Sequence, residues 1–163
     1  MAHEHHHHHP QDAAEAAASL NRIAFAATLH CLTGCAIGEV AGMMIGTALH
    51  WSNAQTILLA VILAFAFGYG LTMLPLLRAK LPLRRALGLA LASDTASIAI
   101  MEIVDNFVML LIPGAMSAPI TSLLFWASLA AALALAGLAA YPVNRWLIKR
   151  GRGHAVLGAH HHH

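Results

Sequence analysis

The sequence predicts an all-α protein, an integral membrane four-helix bundle built from two tandem helical hairpins, with both termini cytoplasmic. Of its 163 residues, 59% are hydrophobic and only 10% are charged, which is typical of a membrane protein and excludes an ordinary soluble domain. Four apolar segments each exceed the ~20 residues that a helix needs to cross the hydrocarbon core of a bilayer. They comprise residues 23–49, 54–77, 86–112 and 121–148.

The residues between these segments favour helix ends. Ser52 offers an N-cap before the second segment, because its hydroxyl can accept a hydrogen bond from the first helical turn. Pro82 suits the start of the third segment, and Pro113 with Gly114 suits its end. Ser117 precedes the fourth segment. The chain is therefore expected to turn three times between four helices.

The basic residues predict the orientation. All nine Lys and Arg residues lie before the first segment, in the second loop, or at and after the end of the fourth segment. The first and third loops, residues 50–53 and 113–120, contain none. Because cytoplasmic loops carry the excess of Lys and Arg, both termini are expected in the cytoplasm, and a bacterial inner membrane is the simplest location. The lipid bilayer is thus an expected partner. The positive charge of the loops is explained by membrane orientation, without binding to nucleic acid.

The chain divides into three parts. Residues 1–21 form a His- and Ala-rich cytoplasmic tail, residues 22–151 the four-span membrane domain, and residues 152–163 a His-rich cytoplasmic tail. Eleven of the thirteen His residues lie in the two tails. Native His-rich tails bind Zn, Ni, Co or Cu ions loosely, whereas cloning residues explain the same runs equally well.

The two hairpins resemble an internal repeat. A shift of 63 positions places Glu39 on Glu102 and Cys31 on Asp94. Both copies would start inside the cell, cross outward and return, so they would be parallel repeats. Transporter sites lie at the interface of such repeats. The alternative is that duplication is only an economical way to build a bundle.

One face of the first predicted helix is polar. Cys31, Cys35 and Glu39 share it because they are spaced four residues apart. A charged side chain at the bilayer centre costs ~2.5–3.5 kcal/mol on insertion scales, so such groups indicate function. Small residues every four positions form the adjoining face and allow a close approach, and we expect the first and third helices to pack together there. This glycine stripe consists of Gly34, Gly38, Gly42 and Gly46.

The third predicted helix carries three acids on one face. Asp94, Glu102 and Asp105 fall within an arc of about 80° on a helix of 3.6 residues per turn. No Lys or Arg lies in the interior of the four segments to neutralise them. The acids could be protonated and hydrogen-bonded to one another or to backbone. Otherwise, such a face requires a cation, either protons or a metal ion.

Matched depth predicts a ladder of polar and sulfur ligands through the bundle. At ~1.5 Å per residue, Glu39 and Glu102 lie at about the same depth. A layer nearer the cytoplasm holds His30, Cys31 and Asp94. Nearer the outer surface lie Asp105, Met43, Met44 and Met109.

Three motifs resemble a known family. They are HCLTGCAIGE at residues 30–39, SDTAS at residues 93–97 and AYPVNRWLI at residues 140–148. Together they resemble the bacterial membrane family DUF4396, a domain of unknown function, over roughly residues 24–151. The resemblance implies a small multi-span membrane protein and supplies no activity.

The leading functional hypothesis is the binding or transport of a transition-metal cation. His30, Cys31 and Cys35 are the candidate metal ligands, and Asp94 or Glu39 would complete the site. Thiols and imidazole suit soft or borderline ions, which makes Cu or Zn the expected ion. The candidate ion path or proton relay consists of Glu39, Glu102 and Asp105.

Two other functions compete with this one. The protein could be a cofactor-binding or redox membrane protein, with Cys31 and Cys35 as a dithiol couple. Haem is disfavoured, because only His30 and His50 lie in the membrane domain, and they are 20 residues apart, toward opposite membrane faces. An accessory membrane subunit without transport is the other alternative. An enzyme is not expected, since the four apolar segments contain no hydrolase motif. A homodimer is plausible because four helices barely enclose a path.

Overall fold

Residues 10–150 form a bundle of long helices. The structure, a computed structural model, describes these residues, and both His-rich runs lie outside them. Each of the four α-helices in this range is long and apolar enough to cross a membrane, so the protein is a multi-pass, all-α membrane protein, as the sequence predicts. Membrane orientation stays a prediction. The helices are α1 (Pro10–Ala48), α2 (Asn53–Arg78), α3 (Leu83–Leu111) and α4 (Leu123–Lys149), with a short 3-10 helix at Ala115–Ser117.

The helix ends follow local sequence. Ser52 caps α2 in a capping box, in which its backbone N–H donates to Gln55 Oε1 at 3.0 Å. Pro82 precedes α3, and Gly114 beyond its end has a φ of 79°, which glycine adopts at little cost. Ser117, expected just before the fourth helix, lies instead in the 3-10 helix, and Ser122 caps α4. The backbone N–H of the third residue of that helix donates to the Ser122 hydroxyl at 3.2 Å.

The first helix begins earlier than the apolar segment alone predicts. Pro10 is its first residue, a position where the missing N–H of proline costs nothing. The Ala-rich part of the predicted N-terminal tail therefore continues α1, because alanine has the highest intrinsic helix propensity.

The glycine stripe of α1 packs against α2. A Cβ built at Gly34 would lie 2.7 Å from the Cα of Gly68, and one at Gly42 would lie 2.5 Å from the Cα of Ala60. The contacts run in opposite directions along the two helices, since Gly46 meets Thr56 at the other end. This antiparallel contact places the two backbones close together. The stripe was expected between α1 and α3, and that expectation is wrong because α2 carries the complementary small residues every four positions.

The helices contact one another unevenly. The most extensive packing joins α1 to α2, and α3 to α4 comes next. α1 also packs against α4, and α2 packs against α3. Of these pairs, α1 and α3 contact each other least. The interior surface between α1 and α3 is therefore lined mainly by side chains and not by close backbone contact. The predicted duplication stays a prediction.

Candidate functional site

The interior of the bundle holds few large hydrocarbon side chains. Among the eleven largest fully buried side chains, only Phe125 and Ile98 consist of hydrocarbon alone. Five carry sulfur, three are acids and one is serine, and all nine lie on α1 or α3. The polar faces predicted for these two helices therefore both point inward. The nine are Cys31, Cys35, Glu39, Met43, Asp94, Ser97, Met101, Asp105 and Met109.

Three carboxylates form a cluster between α1 and α3. Glu39 lies close enough to Asp105 and Glu102 for their charges to interact. Their side chains are 1%, 2% and 5% exposed. Neither oxygen of Glu39 nor of Asp105 has a hydrogen-bond partner within residues 10–150. The carboxylate of Glu102 does have a partner, because the side-chain amide of Asn106 donates to its Oε2 at 3.4 Å. The same amide donates to the backbone oxygen of Glu102 at 2.9 Å.

A layer of sulfur adjoins this carboxylate cluster. The thiol of Cys35 lies 4.0 Å from the sulfur of Met101, which joins α1 to α3. Cys35 also lies beside Glu102. One turn away on α1, Cys31 lies beside Asp94 and Ser97. Both cysteines are free thiols and buried.

Two predicted ligands have polar partners outside this layer. Asp94 is fully buried and accepts a hydrogen bond of 2.7 Å from the Ser93 hydroxyl. His30 is half-buried, and its Nε2 lies 3.0 Å from the Thr72 hydroxyl on α2. The imidazole thus contacts α2, whereas the neighbouring Cys31 faces α3. Among residues 10–150, no group of three or more His, Cys, Asp or Glu side chains is arranged to hold a metal ion.

Basic side chains lie away from the buried acids. Every Lys and Arg between residues 10 and 150 is exposed, whereas Glu39, Asp94, Glu102 and Asp105 are all buried. In this part of the chain the acids are therefore not neutralised by basic side chains. A buried carboxylate without a counter-charge is stable only when protonated or when a cation binds to it.

Some polar contacts were not foreseen. Asn144 on α4 donates a hydrogen bond of 2.9 Å to Thr28 on α1, and both side chains are buried. An asparagine inside an apolar segment is the signal that could have revealed this contact. Thr72, the partner of His30, gives no such signal, since threonine is common in membrane helices. Met44 was expected near the polar ladder, but it is 45% exposed and points away from the interior.

Comparison with known proteins identifies the family. A family model described as "Domain of unknown function (DUF4396)" matches residues 21–153, most of the chain. The chain belongs to the DUF4396 family. No curated protein and no solved structure matches it significantly.

The three segments that resemble DUF4396 proteins all supply buried polar side chains. In this DUF4396 protein, the first segment provides the two thiols and Glu39 of the α1–α3 interface. The second segment provides Asp94 and Ser97 on the facing helix. The third provides Asn144, which joins α4 to α1. The motifs therefore meet in the interior, although they are far apart in the sequence.

Proposed function

We propose that this DUF4396 protein binds a transition-metal cation inside its helix bundle and passes it across the membrane, most simply a bacterial inner membrane. The supporting observation is the burial of Glu39 and Asp105, which are 1% and 2% exposed and whose carboxylate oxygens have no hydrogen-bond partner in the described chain. Carboxylates inside a membrane protein commonly mark ion paths and proton relays.

The proposal assigns two roles to the interior side chains. Cys31 and Cys35 bind the ion, with Asp94 or Glu39 as a further ligand, because thiolates bind soft and borderline ions such as Cu or Zn. His30 joins these ligands only if its ring leaves Thr72. The ion, or protons exchanged for it, then passes along Glu39, Glu102 and Asp105.

Transport by reconstituted protein tests this function. The full chain is placed in lipid vesicles, and the movement of Cu(I), Zn(II), Co(II) and Ni(II) is followed in both directions, together with internal pH. Glu39→Gln and Asp105→Asn should each abolish cation movement, because an amide has similar shape and no charge. Glu15→Gln is the matched control, since Glu15 lies on the same helix as Glu39 but is exposed.

The outcomes separate the candidate functions. Movement of a cation by the unchanged protein and the Glu15 variant, and its loss in the two interior variants, supports the proposal. If no cation moves, or if the interior variants move it as fast as the unchanged protein, the proposal is wrong. An accessory or redox role would then be the better hypothesis.

A further inference from the structure

Sulfur is concentrated in the interior of this bundle to a degree that packing alone does not require. Many large aliphatic side chains face outward instead, with Leu123 83% and Leu138 72% exposed, although Ile98 and Leu129 are buried. Met43, Met101 and Met109 are 1%, 0% and 0% exposed. Methionine often fills gaps in cores. Here, however, it fills positions where the leucine-rich sequence could have used leucine.

The buried sulfurs and acids alternate in the same order on the two facing helices. On α1, Cys35, Glu39 and Met43 are spaced four residues apart. On α3, Met101, Asp105 and Met109 have the same spacing, and the contact between Cys35 and Met101 sets the two series side by side. Side chains four residues apart lie on one face of a helix. Each helix thus presents sulfur, carboxylate and sulfur in succession, and all six side chains are at most 2% exposed.

The two sulfur groups lie in separate packed clusters. Cys31, Cys35 and Met101 belong to one. Met43 and Met109 belong to the other, which also contains Met116 of the 3-10 helix. The carboxylates of Glu39 and Asp105 fall between these clusters in the order of residues along each helix.

A cavity lies next to the second cluster. It has a volume of about 310 Å³ and lies beside the turn between α1 and α2. Met116 lines it together with His50, so that one thioether and one imidazole face the same space. Met116 also belongs to the packed cluster that contains Met109 and Met43, so the cavity adjoins that cluster.

We infer that the facing sides of α1 and α3 form a binding path for Cu(I), and for its chemical analogue Ag(I), with sulfur ligands on both sides of the Glu39–Asp105 pair. Thioether and thiolate sulfur select soft ions such as Cu(I), whereas carboxylate and water ligands suit harder ones. Thioethers are neutral and do not balance the charge of a bound ion. A monovalent ion needs only one compensating negative charge, and the central carboxylates supply it. The ion keeps its oxidation state throughout. This inference rests on the proposed function and narrows it to one class of ion.

Variants of the buried methionines test the inference in the full chain. Met43→Leu, Met101→Leu and Met109→Leu, alone and combined, remove the thioethers while nearly conserving side-chain volume. Met44→Leu is the matched control, because Met44 neighbours Met43 but is 45% exposed. Both His tails stay in place in every variant, so their contribution cancels in each comparison. Ag(I) and Cu(I) binding are titrated in detergent, and Ag(I) uptake is measured in lipid vesicles.

The combined variant should bind Ag(I) at least about tenfold more weakly than the unchanged protein and should not take it up, whereas the Met44 variant should behave like the unchanged protein. X-ray absorption of the unchanged, Cu(I)-loaded protein should show sulfur neighbours at about one ion per chain. This measurement and the single variants decide the matter if the combined variant does not fold. Equal Ag(I) affinity in the methionine variants, or Cu(I) with nitrogen neighbours only, would overturn the inference.

Other results separate this inference from the function on which it rests. If the unchanged protein moves Zn(II) or another divalent ion but binds no Ag(I) in its interior, the proposed function stands and the inference is wrong. If sulfur-bound Ag(I) is found but no cation crosses the vesicle membrane, the assignment of the sulfur ligands stands and the proposed transport function is wrong. If no cation binds or moves, both are wrong.

Discussion

Asn144 Nδ2 donates a hydrogen bond of 2.9 Å to Thr28 Oγ1, and this contact ties α4 to α1. The two side chains are 2% and 5% exposed. The Thr28 hydroxyl in turn donates to the backbone oxygen of Ala24 at 2.9 Å, so the contact continues into the helix backbone. A polar chain of this kind fixes the rotation of α4 against the helix that carries Cys31 and Glu39.

Removing this contact should destabilise the bundle measurably. Asn144→Leu should lower the free energy of unfolding by about 1 kcal/mol, because a hydrogen bond between membrane helices contributes about that much. Unfolding by a denaturing detergent, followed by circular dichroism, measures the change. Thr33→Ala is the control, since Thr33 is exposed and bonds only to its own helix. Equal stability of the Asn144 variant and the unchanged protein would show that the bond has no net effect.

Side chains added to the glycine stripe should separate α1 from α2. Gly38→Ala places a methyl group 2.5 Å from the Cα of Ala64, and overpacking of this kind typically costs ~1–3 kcal/mol. Gly88→Ala is the matched control, because nothing lies within 4 Å of a Cβ at that helical position. The control should be as stable as the unchanged protein or slightly more so, since alanine favours the helix over glycine. Equal melting temperatures for both variants would contradict the observed packing.

The orientation can be tested by labelling single introduced cysteines in intact cells. Cysteine at Asn53 or Ser117 should react with a maleimide that cannot cross the membrane, whereas cysteine at Ala79 should not. The reason is that the Ala79 loop is basic and therefore expected in the cytoplasm. Cys31 and Cys35 are each 1% exposed and should add little background. Labelling of Ala79 from outside would reverse the predicted topology.

Retention of metal in the interior should depend on the two thiols. Cys31→Ser combined with Cys35→Ser should remove the interior metal from the protein, because serine cannot replace a thiolate as a soft ligand. Binding to the unchanged protein should release protons and weaken as the pH falls, since protons compete with the metal for thiolate and carboxylate. Elemental analysis of both proteins, with Thr33→Ser as the control, measures the difference. Identical metal content in the two would place the bound metal elsewhere, for example in the tails.

Glu102 should affect movement of the ion more than its binding. Glu102→Gln keeps the shape of the side chain beside Asn106 but cannot exchange a proton. Metal affinity should change little, whereas the transport rate should fall by about a hundredfold if proton exchange accompanies transport. Binding titrations and vesicle transport of the same variant separate the two effects. A proportional loss of both would instead make Glu102 a ligand.

The sequence predicted the inward-facing side chains of α1 and α3 because helical periodicity and the cost of polar groups in a membrane both act on single helices. Glu39, Glu102 and Asp105 were accordingly placed on the inward-facing sides of their helices. Their relative depth, with Glu39 level with Glu102 and Asp105 nearer the outer surface, stays a prediction. The partner of the glycine stripe was predicted wrongly, since a run of glycines indicates close packing without naming the helix that approaches. The contact of His30 with Thr72 likewise depends on the register between α1 and α2, which no single-helix pattern specifies.

The glycine contact between α1 and α2 has a mechanical consequence. Two backbones held this close can hardly slide or rotate past each other, so α1 and α2 are expected to move as one stiff unit. Because α1 and α3 contact each other sparsely, the interface between them should deform more easily than the α1–α2 interface. Deformation would therefore concentrate where Glu39 faces Asp105, and a small tilt of one half against the other would change the spacing of these carboxylates without unpacking either half.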